Sequence, residues 1–259
     1  MGGLERYHET LQPTPPGHAL NVIDAGPATG VTTVHDLDAW INPSLYPLWY
    51  RVQWLRHKRF LRGSRLVGIS RQSRMDAEAL GYGLHRIIEP YVAKPVSSSL
   101  RRGDWYLMVG TSQPRKRYEL CLEAVPVGSR VVWAGEASRD SHSQGYEAFV
   151  RKRAFSVGVQ LERRYGPQDA ALGNLYATCK ALLVAGRHEG YCLPIIEATS
   201  HGCPVILGRA EPWVSNVYGP EWSRMQDDPT GFYHALDAQK GWSDKERFLE
   251  AWMDEYARL

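Results

Sequence analysis

Short apolar runs, most of them flanked by Gly, Pro or Asp, mark out the elements along the chain. The runs that predict strands cover 21–24, 31–34, 105–109, 130–135, 181–185 and 205–207. Stretches predicted to be helical lie at 118–125, 146–155, 169–179 and 245–259. In the last stretch Phe248, Trp252 and Tyr256 recur every four residues, a spacing that usually marks packing against a core.

The most informative pattern lies between the apolar runs 181–185 and 205–207. Here Glu189 and Glu197 stand on either side of a Gly-Tyr-Cys-Leu-Pro turn. Pro194 suits the first turn of a helix, where its missing N–H is not needed. Gly202 suits the C-terminal end of that helix, where positive φ is common. The sequence therefore predicts a strand, a tight loop, a helix and a further strand in succession.

The start of this predicted helix has the chemistry of an anion site. The first N–H groups of a helix have no intrahelical acceptor, and the helix dipole favours negative charge there. The N–H groups of Tyr191, Cys192 and Leu193 would surround this point, with Glu197 about one turn inside the helix and Glu189 at the mouth of the loop. Taken alone, the two glutamates could equally be an exposed loop acid and an acid favoured by the helix dipole.

The pattern Glu-Gly-aromatic-x-Leu-Pro-x-x-Glu at 189–197, followed by Gly-x-Pro-Val-Ile at 202–206, resembles the donor-binding signature of retaining glycosyltransferases of family 4. The resemblance implies an α/β protein with a GT-B-like fold, that is, two Rossmann-like domains with parallel sheets. It implies a UDP- or GDP-sugar donor as substrate, with no required cofactor and no metal. Cys192 stands where the family usually has a small residue, most often Gly.

Two other segments carry the resemblance. The strand predicted at 31–34 is followed by His35 and Asp36, which resembles the family's Val-x-x-His-Asp and implies that His35 lies near the donor sugar and the acceptor. Lys116, in the loop after the strand 105–109, matches the family's Lys that contacts the donor diphosphate. Thr111 stands where the family often has a second basic residue, and Arg115 is an alternative source of that charge.

The resemblance assigns roles to particular residues. Glu197 is expected to hold the ribose and Glu189 the donor sugar, with Glu189 a positioning residue rather than a covalent nucleophile. Tyr165 is expected near the base. The predicted catalytic residues are His35 and Glu189, and the predicted donor-binding residues are Gly110, Thr111, Arg115, Lys116, Tyr165, Glu189, Gly190, Tyr191, Cys192, Leu193 and Glu197.

The resemblance also divides the chain into domains. We expect a shortened, acceptor-side Rossmann-like domain at 1–94, a linker at 95–103, a nucleotide-sugar-binding Rossmann-like domain at 104–245 and a C-terminal helix at 246–259. The first domain is expected to be reduced because only 34 residues precede His35. Ser70 is suited to cap the helix that follows it.

Composition adds limits on class and compartment. The chain has 259 residues, 43% of them apolar, and no apolar run approaches the roughly 20 residues of a membrane span. It has no secretory leader pattern, and its four cysteines show no paired spacing, so we expect reduced thiols in a cytoplasmic protein. Zinc is a weaker alternative, because the spacing of His188, Cys192, His201 and Cys203 fits no zinc pattern.

The charge distribution is uneven. Residues 39–75 contain no Asp or Glu but carry eight Lys or Arg side chains, interleaved with Trp and Tyr. On a continuous helix Arg51, Lys58, Arg62 and Arg65 would share one face. One interpretation is peripheral contact of residues 49–74 with an anionic partner: a membrane surface, a lipid phosphate or a nucleic acid. The other is a solvated face balanced by acids elsewhere in the fold.

These observations lead to one main functional hypothesis and two alternatives. The main hypothesis is a retaining hexosyltransferase that uses a nucleotide sugar and an acceptor hydroxyl. One alternative is a degenerate, non-catalytic nucleotide-sugar-binding or partner protein. The other is a glycosyltransferase whose acceptor is a nucleic acid. The acceptor class (glycan, lipid-linked sugar, protein or nucleic acid) stays open at this point.

Overall fold

The structure is a computed structural model that describes residues 14, 16–91, 101–137, 140–207, 212–218 and 245–257. These residues form two compact units. The first unit contains 14, 16–91, 189–191 and 245–257, and the second contains 101–137, 140–188, 192–207 and 212–218. Most of the predicted linker, 95–100, lies outside the described residues.

Strands and helices alternate along both units. In chain order they are β1 (His18–Ala19), β2 (Val31–Val34), α1 (Asp38–Ile41), α2 (Leu48–Leu61), β3 (Arg65–Gly68), α3 (Arg71–Ala79), β4 (Arg86–Ile87), β5 (Trp105–Val109), α4 (Tyr118–Glu123), β6 (Arg130–Gly135), α5 (Ser141–Ser156), β7 (Gln160–Tyr165), α6 (Asp169–Thr178), β8 (Ala181–Val184), α7 (Leu193–Ser200), β9 (Val205–Leu207), α8 (Pro212–Tyr218) and α9 (Lys245–Tyr256). No helix among the described residues is long and apolar enough to cross a membrane.

The first unit is built on a four-stranded parallel sheet in the order β1-β2-β3-β4. Every residue of β2 is buried, as its β-branched composition predicts. Trp54 and Leu61 of α2 are also buried and pack into the core of this unit. Ser70 caps α3, as expected, since its hydroxyl accepts the Ser73 N–H at 3.0 Å.

The second unit has a five-stranded parallel sheet in the order β7-β6-β5-β8-β9. Its core is formed by central strands such as β5, where Leu107 and Met108 are fully buried. The chain moves outward in one direction from β5 through β6 to β7 and in the other through β8 to β9. The carboxyl ends of β5 and β8 therefore flank a point where strand order reverses, which is where open α/β sheets bind ligands.

Three details differ from the sequence-based expectations. The predicted strand at 21–24 is wrong: Val22–Asp24 is a 3-10 turn, and the strand is His18–Ala19 instead. The Asn21 side chain accepts the Val22 N–H at 2.7 Å, and this local bond favours a turn over an extended chain.

The other two differences concern charged residues. The prediction of one helical face shared by Arg51, Lys58, Arg62 and Arg65 is wrong. Helix α2 ends at Leu61, and Arg65 begins β3. Gly63 and Ser64, which follow the helix, favour a turn there. Strand β7 was not predicted, because its sequence QLERRY is mostly polar. It lies at the sheet edge, where charged side chains are common.

The C-terminal helix α9 packs within the first unit. Trp252 is buried and stacks on His18, with ring centroids 4.7 Å apart. Tyr256 Oη lies 2.9 Å from His18 Nδ1, and Arg86 donates to the Ala251 carbonyl at 3.2 Å. The aromatic repeat at the end of the chain thus belongs to a helix that covers the first sheet.

Candidate functional site

The loop after β5 places Lys116 in a tight turn. Pro114–Lys116 forms a 3-10 turn, and the next residue, Arg117, adopts the left-handed conformation with φ 47°. Lys116 is half-buried, and its Nζ lies 4.0 Å from the position that a Cβ would take on Gly110. Gly110 itself has φ 134°, a conformation that other residues rarely adopt.

Three hydrogen bonds join this loop to the loop after β8. Arg117 Nε donates to the Ala185 carbonyl at 2.8 Å, and the Arg187 N–H donates to the Arg115 carbonyl at 2.8 Å. Arg115 Nη1 donates to the His188 carbonyl at 3.0 Å. Lys116 is therefore flanked by two arginines that anchor its loop to the segment leading into α7. The role of Arg115 as a donor contact stays a prediction, as does that of Thr111.

The start of α7 is held in an unusual backbone conformation. Cys192 has φ 60° and ψ 60°, and the helix begins at the next residue, Leu193, with Pro194 in its first turn. Tyr218 of α8 donates its hydroxyl to the Cys192 carbonyl at 3.1 Å. Trp213, also on α8, donates its indole N–H to the Gly186 carbonyl at 2.8 Å. Helix α8 thus supports both ends of the loop after β8.

Glu197 lies one turn into α7 and is buried, with only 8% of its surface exposed. The Tyr176 hydroxyl on α6 donates to Glu197 Oε2 at 2.8 Å. Tyr176 in turn stacks on His201, with ring centroids 5.8 Å apart. An acid that only interacted with the helix dipole would need neither burial nor this hydrogen bond. The role of Glu197 at the ribose stays a prediction.

Residues 189–191 belong to the first unit and are also buried. Glu189 is 5% exposed, which contradicts the alternative that it is an exposed loop acid. The Ser70 hydroxyl donates to the Gly190 carbonyl at 2.5 Å. A Cβ on Gly190 would collide with the carbonyl group of His35, so only glycine fits there. The first unit thus brings Gly190 against the residues that follow β2 and β3.

The His35 ring has a defined partner. Its Nε2 lies 3.1 Å from the Leu20 carbonyl oxygen. A carbonyl can only accept, so Nε2 must carry the proton that it donates. In the neutral ring, Nδ1 is then the acceptor nitrogen.

Tyr165 stands at the end of β7, about half exposed, and its hydroxyl donates to Glu147 Oε1 at 2.6 Å. Glu147 also accepts the Ser112 hydroxyl at 3.0 Å, and Arg163 Nε lies 3.5 Å from it. Burial alone would raise the pKa of Glu147. The hydrogen bonds that it accepts and the nearby Arg163 charge outweigh burial and lower its pKa to about 2.

An open cavity of about 250 Å³ lies beside this cluster. Its lining residues are Ala137, Gln144, Glu147, Ala148, Arg151 and Tyr165. Of these residues, only Tyr165 is among those predicted from the sequence. Glu147 stands between Tyr146 and Ala148 on α5 with no motif around it, so nothing in the sequence alone would have marked it.

No pattern in the sequence marks Arg117, Trp213 or Tyr218 as site residues. Each of them donates a hydrogen bond to a backbone carbonyl of the loop after β8.

Among the described residues, no group of three His, Cys, Asp or Glu side chains is placed to hold a metal ion.

Known proteins resemble this chain in part of its sequence and in its fold. No protein-family model matches the chain. WbdA of Escherichia coli, a serotype-specific mannosyltransferase, is 30% identical over an alignment that covers 46% of this chain and 15% of WbdA. The chain thus spans about 15% of the length of the curated relatives that it matches.

Several solved structures share the fold. HepE of Anabaena, crystallised with UDP-glucose, has a TM-score of 0.66 at 15% identity, covering 93% of this chain and 76% of HepE. A sucrose-phosphate synthase of Thermosynechococcus elongatus has a TM-score of 0.63 at 16% identity, covering 88% and 67%. AviGT4, a glycosyltransferase involved in avilamycin A biosynthesis, has a TM-score of 0.58 at 17% identity, covering 99% and 78%. The predicted fold class is confirmed: the chain is an α/β protein with parallel, Rossmann-like sheets and a GT-B-like fold.

Proposed function

We propose that this chain is a glycosyltransferase that moves a hexose from a nucleotide-sugar donor to an acceptor hydroxyl with retention of configuration. The observation that carries the proposal is the pair of joined loops at the switch point of the second sheet. They hold Lys116 in a fixed turn and lead directly into α7, which carries the buried Glu197. The partial similarity to a mannosyltransferase supports glycosyl transfer in general, and the shared GT-B-like fold is compatible with it.

The diphosphate of the donor would be held by charge and by the helix start. The Lys116 ammonium supplies a cation, and the beginning of α7 supplies its dipole and N–H groups at Cys192 and Leu193. Both stabilise the negative charge that grows on the leaving nucleoside diphosphate as the glycosidic bond breaks. Departure of the diphosphate then needs no protein acid to protonate it.

The two glutamates would grip hydroxyl groups. Carboxylates form strong charge-assisted hydrogen bonds with hydroxyls, so Glu197 suits the ribose and Glu189 suits the donor sugar. The bond from Tyr176 fixes the orientation of Glu197 before the donor arrives. In the proposed reaction the acceptor attacks the face that the diphosphate leaves, and the leaving phosphate takes the acceptor proton. Glu189 then positions the sugar, and His35 lies beside the sugar and acceptor.

The experiment is a turnover assay with a panel of UDP-, GDP- and ADP-sugars, in which nucleotide released by transfer or hydrolysis is measured. Lys116→Ala and Glu189→Ala should each abolish release while thermal unfolding stays close to that of the wild type. Lys152→Ala serves as the charge-matched control, because Lys152 is exposed on α5.

Full turnover in both Lys116→Ala and Glu189→Ala would refute the assigned roles. Nucleotide binding by the wild type without release from any donor would favour the degenerate, non-catalytic alternative.

A further inference from the structure

Helix α2 exposes an apolar ridge on the side that faces away from the described core of the first unit. Its inner face carries Trp54 and Leu61, which are 4% and 2% exposed. The ridge is formed by four side chains on the other side, which are 40–69% exposed: Leu48, Trp49, Val52 and Leu55. With 100° per residue, three of them lie within an arc of about 60° and Trp49 borders it. Isolated exposed apolar residues are ordinary, but four on one helix face form a patch.

Positive charge surrounds this ridge. The exposed Arg59 continues it one turn beyond Leu55, and Arg51 and Arg62 lie along one flank. Lys58 points elsewhere, since its Nζ lies 5.7 Å from the centroid of the Trp40 ring. The α2 surface therefore combines an apolar ridge with three arginines.

The surrounding sequence strengthens this charge. Residues 39–75 carry eight basic and no acidic residues, whereas the rest of the chain has 23 basic and 28 acidic residues, a net charge of −5. The positive charge of the protein is thus concentrated around α2. A second copy of this chain is a poor occupant of the ridge, because two such surfaces would repel each other. A nucleic acid would match the charge but would leave the apolar ridge without a partner.

We propose that α2 docks the protein on the surface of an anionic lipid bilayer. The helix lies in the plane of the interface, with Leu48, Trp49, Val52 and Leu55 buried between headgroups. Arg51, Arg59 and Arg62 contact lipid phosphates at the level of the headgroups. Apolar burial and electrostatic attraction act together in such interfacial helices, and Trp is favoured at this depth. The inference rests on α2 and on the charge of residues 39–75, and it does not depend on the proposed glycosyl transfer.

Vesicle co-sedimentation tests the inference with the full chain. The vesicles are phosphatidylcholine alone, or phosphatidylcholine mixed with phosphatidylglycerol. The wild type should sediment with the mixed vesicles and much less with the neutral ones. The double variant Trp49→Ser/Leu55→Ser should lose at least about tenfold in affinity because apolar burial is removed. Arg59→Glu should also lose about tenfold, because it replaces attraction by repulsion.

The matched control is Val127→Ser/Phe155→Ser, which removes two side chains that are 83% and 89% exposed in the second unit. This variant should bind vesicles as the wild type does, and circular dichroism checks that all variants are folded. Equal sedimentation of the wild type with neutral and anionic vesicles would overturn the proposal. So would unchanged binding by the Trp49→Ser/Leu55→Ser variant, or binding of nucleic acid without binding of vesicles.

Discussion

Cys192 is a non-glycine residue in a backbone conformation that glycine adopts most easily. Most residues avoid the left-handed conformation, and Cys192 adopts it at the point where the loop after β8 becomes α7. The resemblance indicates that Gly is usual at this position, and the φ of 60° explains why. The side chain is 7% exposed, so its sulfur is packed as well as its backbone strained.

The effect of a substitution at Cys192 on the unfolding free energy should therefore depend more on backbone conformational freedom than on side-chain size. Cys192→Gly relieves the left-handed strain but loses packing and chain entropy, so the unfolding free energy should change by less than about 1 kcal/mol. Cys192→Val adds a branched Cβ in the same conformation and should cost more than about 2 kcal/mol. Urea unfolding measures both. Equal losses in the two variants would show that packing, not the backbone, decides.

Glu147 predicts a defined pH dependence. Its carboxyl has a usual pKa of 4.5 when the chain is unfolded, and contacts in the folded state lower it to about 2. A lowered pKa contributes stability that is fully present above about pH 4.5 and disappears as the pH falls towards 2. Glu147→Gln should cost on the order of 2–3 kcal/mol at pH 7, and this cost should shrink steadily below pH 4.5. A cost that stays constant from pH 7 to pH 3 would contradict the assignment.

At the scale of the element, Arg102 links the ends of α6 and α7. Its Nη1 donates to the Tyr176 and Cys179 carbonyls at 3.0 and 2.9 Å, and its Nη2 donates to the His201 carbonyl at 3.1 Å. The last carbonyls of a helix lack intrahelical donors and carry the negative end of the dipole. One guanidinium thus donates hydrogen bonds to the terminal carbonyls of both helices, α6 with Tyr176 and α7 with Glu197.

Removing this link should loosen both helices. Arg102→Met keeps much of the aliphatic length but leaves three carbonyls without their charged donor, so the unfolding free energy should fall by on the order of 2–4 kcal/mol. Arg101→Met is the neighbouring control, because Arg101 is exposed, and it should change stability by less than about 0.5 kcal/mol. Similar losses in both variants would mean that Arg102 does not link the helices.

The elements differ in how far the sequence predicts them. Strands β5, β6, β8 and β9 follow from apolar runs, and this includes β9 although it lies at one edge of the sheet. The edge strand β7 has a polar sequence, and its extended form depends on pairing with β6, which local pattern does not reveal. The strand prediction at 21–24 is wrong for a local reason. The Asn21 side chain accepts a hydrogen bond from the next residue, and this bond favours a turn.

The residues of the candidate site also differ in how far the sequence indicates them. Glu189, Glu197 and Pro194 are local to one loop and helix, so a contiguous motif indicates them. Arg117 and Tyr218 reach that loop from 68 and 26 residues away, and only the fold brings them there. Their bonds go to backbone carbonyls, which every residue has, so no sequence signal marks the pairing.

At the scale of the whole molecule, the two units differ in the predicted site residues that they carry and in their charge. The second unit holds the loops after β5 and β8 and the start of α7, where we place the donor diphosphate. The first unit holds His35, residues 189–191 and the basic α2. The positive charge lies mainly in the first unit, within residues 39–75, and the rest of the chain is acidic in balance. The proposed donor binding and the proposed attachment to an anionic surface should therefore be separable by mutation.

We place the nucleoside diphosphate of the donor between two groups of the second unit, the Lys116 ammonium and the N–H groups at the start of α7. Isothermal titration calorimetry of UDP and GDP against the full chain tests this central claim directly. At least one nucleotide should bind, and Lys116→Ala should weaken binding about 10- to 100-fold, because a charged hydrogen bond of roughly 1.5–3 kcal/mol is lost. Lys152→Ala should bind as the wild type does. No binding of either nucleotide, or equal binding by wild type and Lys116→Ala, would contradict the claim.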